Sequence, residues 1–131
     1  MKLDLSSFNK AIASFKIAID EYNKDTKNFF VRDSVIQRFE YTYSLSLKMI
    51  KRYLENNEEN VNEFSFNELI RTANEKGLLL GNLENWNNYR LKRNITSYTY
   101  DADKAQEIIS IVDNFYNEVK FLYKELEKRN D

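Results

Sequence analysis

Histidine and cysteine are both absent from the 131-residue chain, and so is proline. Without imidazole or thiolate, no Ser-His or Cys-His nucleophilic pair can be assembled. A zinc site would have to be made of carboxylates alone, which is uncommon. The side chain best matched to proton transfer near neutral pH is missing as well. There is no disulfide framework, which fits a reducing cytoplasm. Any chemistry in this chain therefore falls to Arg, Tyr, Lys and carboxylates, or to a partner. No stretch approaches the roughly 18 consecutive apolar residues of a membrane span, and Met1-Lys2-Leu3-Asp4 opens without the apolar run of a signal peptide. A cytoplasmic protein without membrane contact is expected. Twenty basic residues face 21 acidic ones, a net charge of −1. A dedicated DNA-binding protein would normally be basic overall, so DNA is not expected as a partner, although a local basic patch remains allowed.

Glycine is nearly absent too, at Gly77 and Gly81 alone. With so few breakers and many Leu, Glu, Lys and Ala residues, the chain favours helix throughout. Over residues 4–24, Phe8, Ile12, Phe15, Ile19 and Tyr22 recur at spacings of four and three, one face of an amphipathic helix. Asn23 to Asn28 breaks that stripe and reads as a turn. Residues 30–56 predict a second helix with Ile36, Phe39, Tyr43, Leu47, Ile50 and Leu54 on its apolar face. The same helix carries a polar stripe, Asp33, Gln37, Glu40 and Ser44, which is either a solvated face or the wall of a groove.

Ser65 and Glu68 have capping-box spacing, opening a short helix that carries Leu69, Ile70 and Ala73 and stops at Gly77. Leu78-Leu79-Leu80-Gly81 is an apolar connector, and Asn82 can cap the helix that follows. There Trp86 and Arg90 stand four apart, so a cation–π contact is expected beside the plain reading of Trp86 as a core anchor. A last helix is predicted from Asp101 or Asp103 to Lys128. Ile108, Val112, Phe115, Val119, Leu122 and Leu126 form its stripe, with a parallel row at Ile109, Tyr116 and Tyr123. That arc is wide enough for two neighbours within the bundle or for a subunit contact. The prediction is an all-α, up-and-down antiparallel bundle of four main helices plus a short one, as one domain over residues 1–131.

Between the last two helices lies Arg90-Leu91-Lys92-Arg93-Asn94-Ile95-Thr96-Ser97-Tyr98-Thr99-Tyr100-Asp101, with three cations in its first four residues. A loop at a helix boundary, with guanidinium and phenol groups converging, is where a binding site is expected. Arg93 also suits the last turn of a helix for electrostatic reasons alone. Tyr98 and Tyr100 could equally serve to close the loop over the bundle, and Asp101 reads as an N-cap.

Together with Arg32-Asp33-Ser34-Val35-Ile36-Gln37-Arg38-Phe39-Glu40, Trp86 and Arg90, the run Arg93-Asn94-Ile95-Thr96-Ser97-Tyr98-Thr99-Tyr100-Asp101 resembles the nucleotidyltransferase substrate-binding protein family of the HEPN superfamily of helical bundles. The resemblance spans nearly the whole chain. It implies the helical half of a two-gene, toxin–antitoxin-like module whose other half is a minimal nucleotidyltransferase encoded nearby. ATP and magnesium are expected in that partner, and no cofactor or metal in this chain. The resemblance also implies a homodimer whose arginine motifs face a shared cleft for nucleotide or RNA phosphate.

Many HEPN proteins are metal-independent ribonucleases with an arginine followed by His-x-Tyr. Residue by residue, Arg93 matches the motif arginine, Asn94 its polar neighbour and Tyr100 the motif tyrosine, an adenylylation acceptor in some such pairs. The histidine position falls on Tyr98. A phenol with an ordinary pKa of about 10 is ionised to only about one part in a thousand at pH 7, so it is a poor general base. The resemblance thus favours a binding partner with phosphate contacts at Arg90, Arg93, Asn94 and Tyr100, and with Asp33, Gln37, Glu40 and Trp86 as groove-lining candidates. An endoribonuclease using Arg93 and Tyr98 is the alternative, and a non-catalytic helical scaffold is the third.

Overall fold

The computed structural model describes residues 2–57 and 59–130, and among these it is helical without a strand. Six α-helices succeed one another: α1 Ser6–Lys24, α2 Phe29–Asn56, α3 Phe66–Glu75, α4 Leu83–Arg93, α5 Ala102–Ile109 and α6 Val112–Lys128, with a single 3-10 turn at Val61–Glu63. α1 and α2 run antiparallel, and α2 begins one residue before its expected start. The Asn28 side chain accepts from the amides of Phe30 (3.1 Å) and Val31 (3.3 Å), which fixes that boundary.

α6 returns antiparallel to α1. Its C-terminal neighbour Asn130 pairs with the backbone of Leu3, accepting from the Leu3 amide at 2.8 Å and donating to the Leu3 carbonyl at 2.9 Å. α4 runs opposite to α2, because Trp86 lies beside Tyr43 and Thr96, beyond the end of α4, meets Glu40. The up-and-down order therefore holds, with α3 as the short extra helix.

The expected apolar faces are the buried ones. Phe8, Phe15, Ile36, Phe39, Ile50, Leu54, Trp86, Phe115 and Leu122 are wholly enclosed. At the centre the Phe115 ring lies 5.0 Å from Phe39 and 5.0 Å from Tyr89, in edge-on arrangements. On the wide arc of the last helix, Tyr116 lies against Phe15 and Tyr123 against Phe8, both on α1, and both tyrosines stay partly exposed.

The last helix is broken where one continuous helix was expected. The Ser110 hydroxyl bonds the Glu107 carbonyl at 2.6 Å, and the Ile111 amide turns to Ile108 instead, at 3.1 Å. A serine that takes its own helix's carbonyl opens the ladder at that point. The short helix ends as predicted: Gly77 adopts φ +77°, its amide bonds Asn74, and the Leu78 amide bonds Ala73. That is a Schellman ending, which a side chain would strain. Among the described residues no helix is long and apolar enough to cross a membrane.

Candidate functional site

Arg93 ends α4, and Asn94 is its C-cap. The chain then descends through successive tight turns, with the amides of Thr96, Tyr98 and Asp101 bonding the carbonyls of Arg93, Ile95 and Tyr98. Asp101 closes the loop as the N-cap of α5, accepting from the amides of Asp103 (3.0 Å) and Lys104 (3.2 Å). Arg90, Lys92 and Arg93 thereby sit in the last turn of α4, where cations complement the helix dipole.

Two latches lay this loop along the N-terminal half of α2. The Thr96 hydroxyl shares its one proton between the Glu40 carboxylate and the Arg93 carbonyl, the latter 2.9 Å away. Eight residues before Glu40, the buried Arg32 donates to the Thr99 carbonyl at 3.0 Å while pairing with Asp33. Of the polar stripe, Glu40 meets the loop directly and Asp33 through Arg32, while Gln37 and Ser44 are solvated. Glu40 and Asp33 are half-buried and engaged, whereas Gln37 is exposed on the same face. Neither latch was singled out from the sequence. The signal for Arg32 was available, because an arginine at a stripe position one turn before Val35 and Ile36 must find a buried partner.

The guanidinium of Arg93 is half-buried and, among the described residues, enters no ion pair. Its electrostatic neighbour is a phenol other than the two in the loop. Tyr43 is buried, its hydroxyl has no hydrogen-bond partner, and both Arg90 and Arg93 act on it. Burial pushes the Tyr43 hydroxyl up to about 12, against the opposing pull of the two arginines. Tyr43 is therefore a neutral donor at physiological pH. Tyr98 and Tyr100 meet each other edge-on with centroids 6.1 Å apart, and Lys104 lies 4.3 Å over the Tyr98 ring.

Two expectations about Trp86 are corrected. Its indole is fully enclosed among Tyr43, Tyr89 and Phe115, so it lines no open groove. Arg90 does not stack on it. The exposed guanidinium lies 4.6 Å over Phe66 of α3, a ring on its own side of α4. Spacing placed Arg90 and Trp86 on adjacent positions, but burial turned one inward and left the other at the surface.

Removing the orphaned phenol gives a direct check on this geometry. An unfolded tyrosine ionises near pH 10 and the folded Tyr43 near about 12. The native state thus holds the proton more tightly, and stability falls as pH rises between those values. Tyr43→Phe is expected to raise stability by about 1 kcal/mol at neutral pH and to remove this residue's share of the alkaline loss. Urea unfolding at neutral pH and above pH 10 reads both.

A model of the family described as nucleotidyltransferase substrate binding protein like matches residues 3–128. The chain belongs to this family. Probable ribonuclease HepT of Haemophilus influenzae is similar at 36% identity over 140 residues, spanning 98% of this chain and 95% of that protein. A solved Haemophilus influenzae structure, described as revealing the fold of a substrate binding domain of a nucleotidyltransferase, matches with a TM-score of 0.85 at 32% identity. It covers 95% of this chain and 99% of that one. The sequence resemblance matched Arg93, Asn94 and Tyr100 to the motif arginine, its polar neighbour and the motif tyrosine. All three lie on the one loop, with Arg93 at its start and the Tyr100 ring mostly exposed at the far end.

Proposed function

We propose that this chain is the substrate-binding partner of a minimal nucleotidyltransferase, and that it holds a phosphate-bearing ligand at Arg93, with Arg90 and Asn94 beside it, in the cleft of a homodimer. The observation that supports this reading most is a half-buried Arg93 with no ion pair among the described residues, at a helix end whose backbone carbonyl accepts from the Thr96 hydroxyl that also engages Glu40. A guanidinium without a carboxylate partner is open to a phosphate oxygen. ATP and magnesium belong to the partner. Tyr100 is the acceptor: its phenol oxygen attacks the α-phosphorus of ATP, pyrophosphate leaves, and the phenolic proton passes to a base of the partner or to water. The Tyr100 side chain is mostly exposed and reachable by a second protein.

Mixing the purified chain with the nucleotidyltransferase encoded beside it, with Mg-ATP, is the test. Co-elution and a nucleotide-sized mass gain lost in Tyr100→Phe are expected. Separate elution with no mass gain would overturn the proposal.

A second reading is supported by the 36% identity to a probable ribonuclease. In it Arg93 stabilises the charge developing on the phosphorus, and Tyr98 stands where the proton-transfer group would be. RNA cleavage that persists in EDTA and disappears in Arg93→Ala would establish this reading. The absence of histidine weighs against it.

A further inference from the structure

Four aromatic side chains lie open to solvent at one corner of the bundle. Phe30 is 91% exposed, Tyr100 83%, Phe29 61% and Tyr98 39%. They come from two distant parts of the sequence, the first turn of α2 and the loop before α5. Arg32 joins them, since its guanidinium lies 4.5 Å over the Phe29 ring and donates to the Thr99 carbonyl at 3.0 Å. Exposed phenylalanines at a helix start contribute nothing to a core and invite aggregation, so such a cluster usually marks a contact.

We infer that this corner is a stacking surface for the bases of a single-stranded nucleic acid whose phosphates run from Arg93 along the 94–100 loop. The inference rests on the phosphate-binding reading of Arg93 and extends it to residues that this reading leaves unused. Charge favours this occupant over an apolar protein segment. Lys104 sits on the Tyr98 ring, and Arg90, Lys92 and Arg93 stand at the start of the same loop. Of the acids nearby, Asp33 pairs with Arg32, Asp101 is engaged with the amides of α5 and Glu40 with the Thr96 hydroxyl, which leaves Asp103 as the exposed one against four cations. Rings flanked by cations, beside a cationic track, are what a flexible strand of bases and phosphates requires. A duplex keeps its bases stacked on one another and could not use the rings.

The experiment measures fluorescence anisotropy with a labelled single strand of about twelve nucleotides and with an abasic chain of equal length and charge. Phe30→Ala and Phe29→Ala are each expected to weaken binding of the strand about tenfold and to leave binding of the abasic chain unchanged. Arg93→Ala is expected to weaken both and to flatten the salt dependence. Phe30 is almost free of contacts, so thermal unfolding of its variant should match the parent. If both phenylalanine variants bind the strand like the parent while Arg93→Ala does not, stacking is overturned and the phosphate reading stands. If the parent binds neither probe, both fall. If the phenylalanine variants instead lose co-elution with the nucleotidyltransferase and keep strand affinity, the corner is a protein-docking surface and the assignment is overturned.

Discussion

Phe115→Ala is expected to destabilise the chain by about 3–5 kcal/mol and to lower the melting temperature by roughly 10–20 °C. The ring is fully buried on α6. It touches every main layer of the core: Phe15 on α1, Phe39 and Tyr43 on α2, Trp86 and Tyr89 on α4. Rigid rings cannot relax into the space that a benzyl group leaves, which places the loss at the upper end for such truncations. A domain of this size has a total stability of about 5–15 kcal/mol, so the variant would keep about half to two-thirds of a mid-range value. The effect should reach the site as well. Tyr43 and Trp86 both lean on Phe115, and Tyr43 sits beneath the two arginines. Differential scanning calorimetry, with phosphate-ligand affinity measured at a temperature where the variant is folded, separates the two consequences. A shift of only a degree or two would show that Phe115 is not the hub of the core.

Glu118→Ala should cost about 2–4 kcal/mol, by a different route. This carboxylate is buried on α6 and receives two backbone amides, Leu80 at 2.8 Å and Gly81 at 2.8 Å. It thereby organises the connector between α3 and α4. Gly81 is required by proximity, since a Cβ there would lie 2.6 Å from Glu118 Oε1. Removing the carboxylate orphans both amides, and this outweighs the relief of freeing a charge from the interior. Burial pushes the Glu118 carboxyl above its ordinary 4.5, and the amides of Leu80 and Gly81 pull the other way. The Trp86 indole adds a smaller pull from outside hydrogen-bond geometry. The sign follows: the native state holds this proton more tightly than the unfolded chain, so the group's contribution to stability falls as pH rises from about 4.5 through the elevated value. Melting temperatures across that range should show this slope in the parent and lose it in Glu118→Gln. A parallel course in both proteins would refute the assignment.

Helix boundaries were legible at most of the ends that a side chain or a glycine caps, though the Asn28 cap of α2 was passed over. Ser65 with Glu68, Asn82, Asp101 and the left-handed Gly77 all do what their types predict. The break at Ser110 was not legible. The apolar register runs through it without a gap, and a serine hydroxyl competes for a carbonyl without changing any periodicity. In the candidate site, motif positions pointed to Arg93 and the 94–101 loop, because those residues are contiguous. Thr96 with Glu40, Arg32 with Thr99, and Tyr43 beneath the arginines join residues 50 or more positions apart, except where Arg90 faces Tyr43 across 47. No local pattern carries such pairings. Arg90 shows the limit most plainly, since it has two aromatic neighbours within reach and the sequence does not say which ring is left at the surface.

The amide pair between Leu3 and Asn130 fastens the first and last turns of the bundle at the end remote from the 94–100 loop. Arg32 and Tyr53, which mark the two ends along α2, are separated by about 30 Å at 1.5 Å of rise per residue. A tag, surface anchor or fluorophore grafted at either extremity would therefore project away from the aromatic corner and leave it unobstructed. Mechanical tension applied between the extremities would peel α1 from α6 one turn at a time, starting at that amide clasp, instead of shearing the whole contact at once.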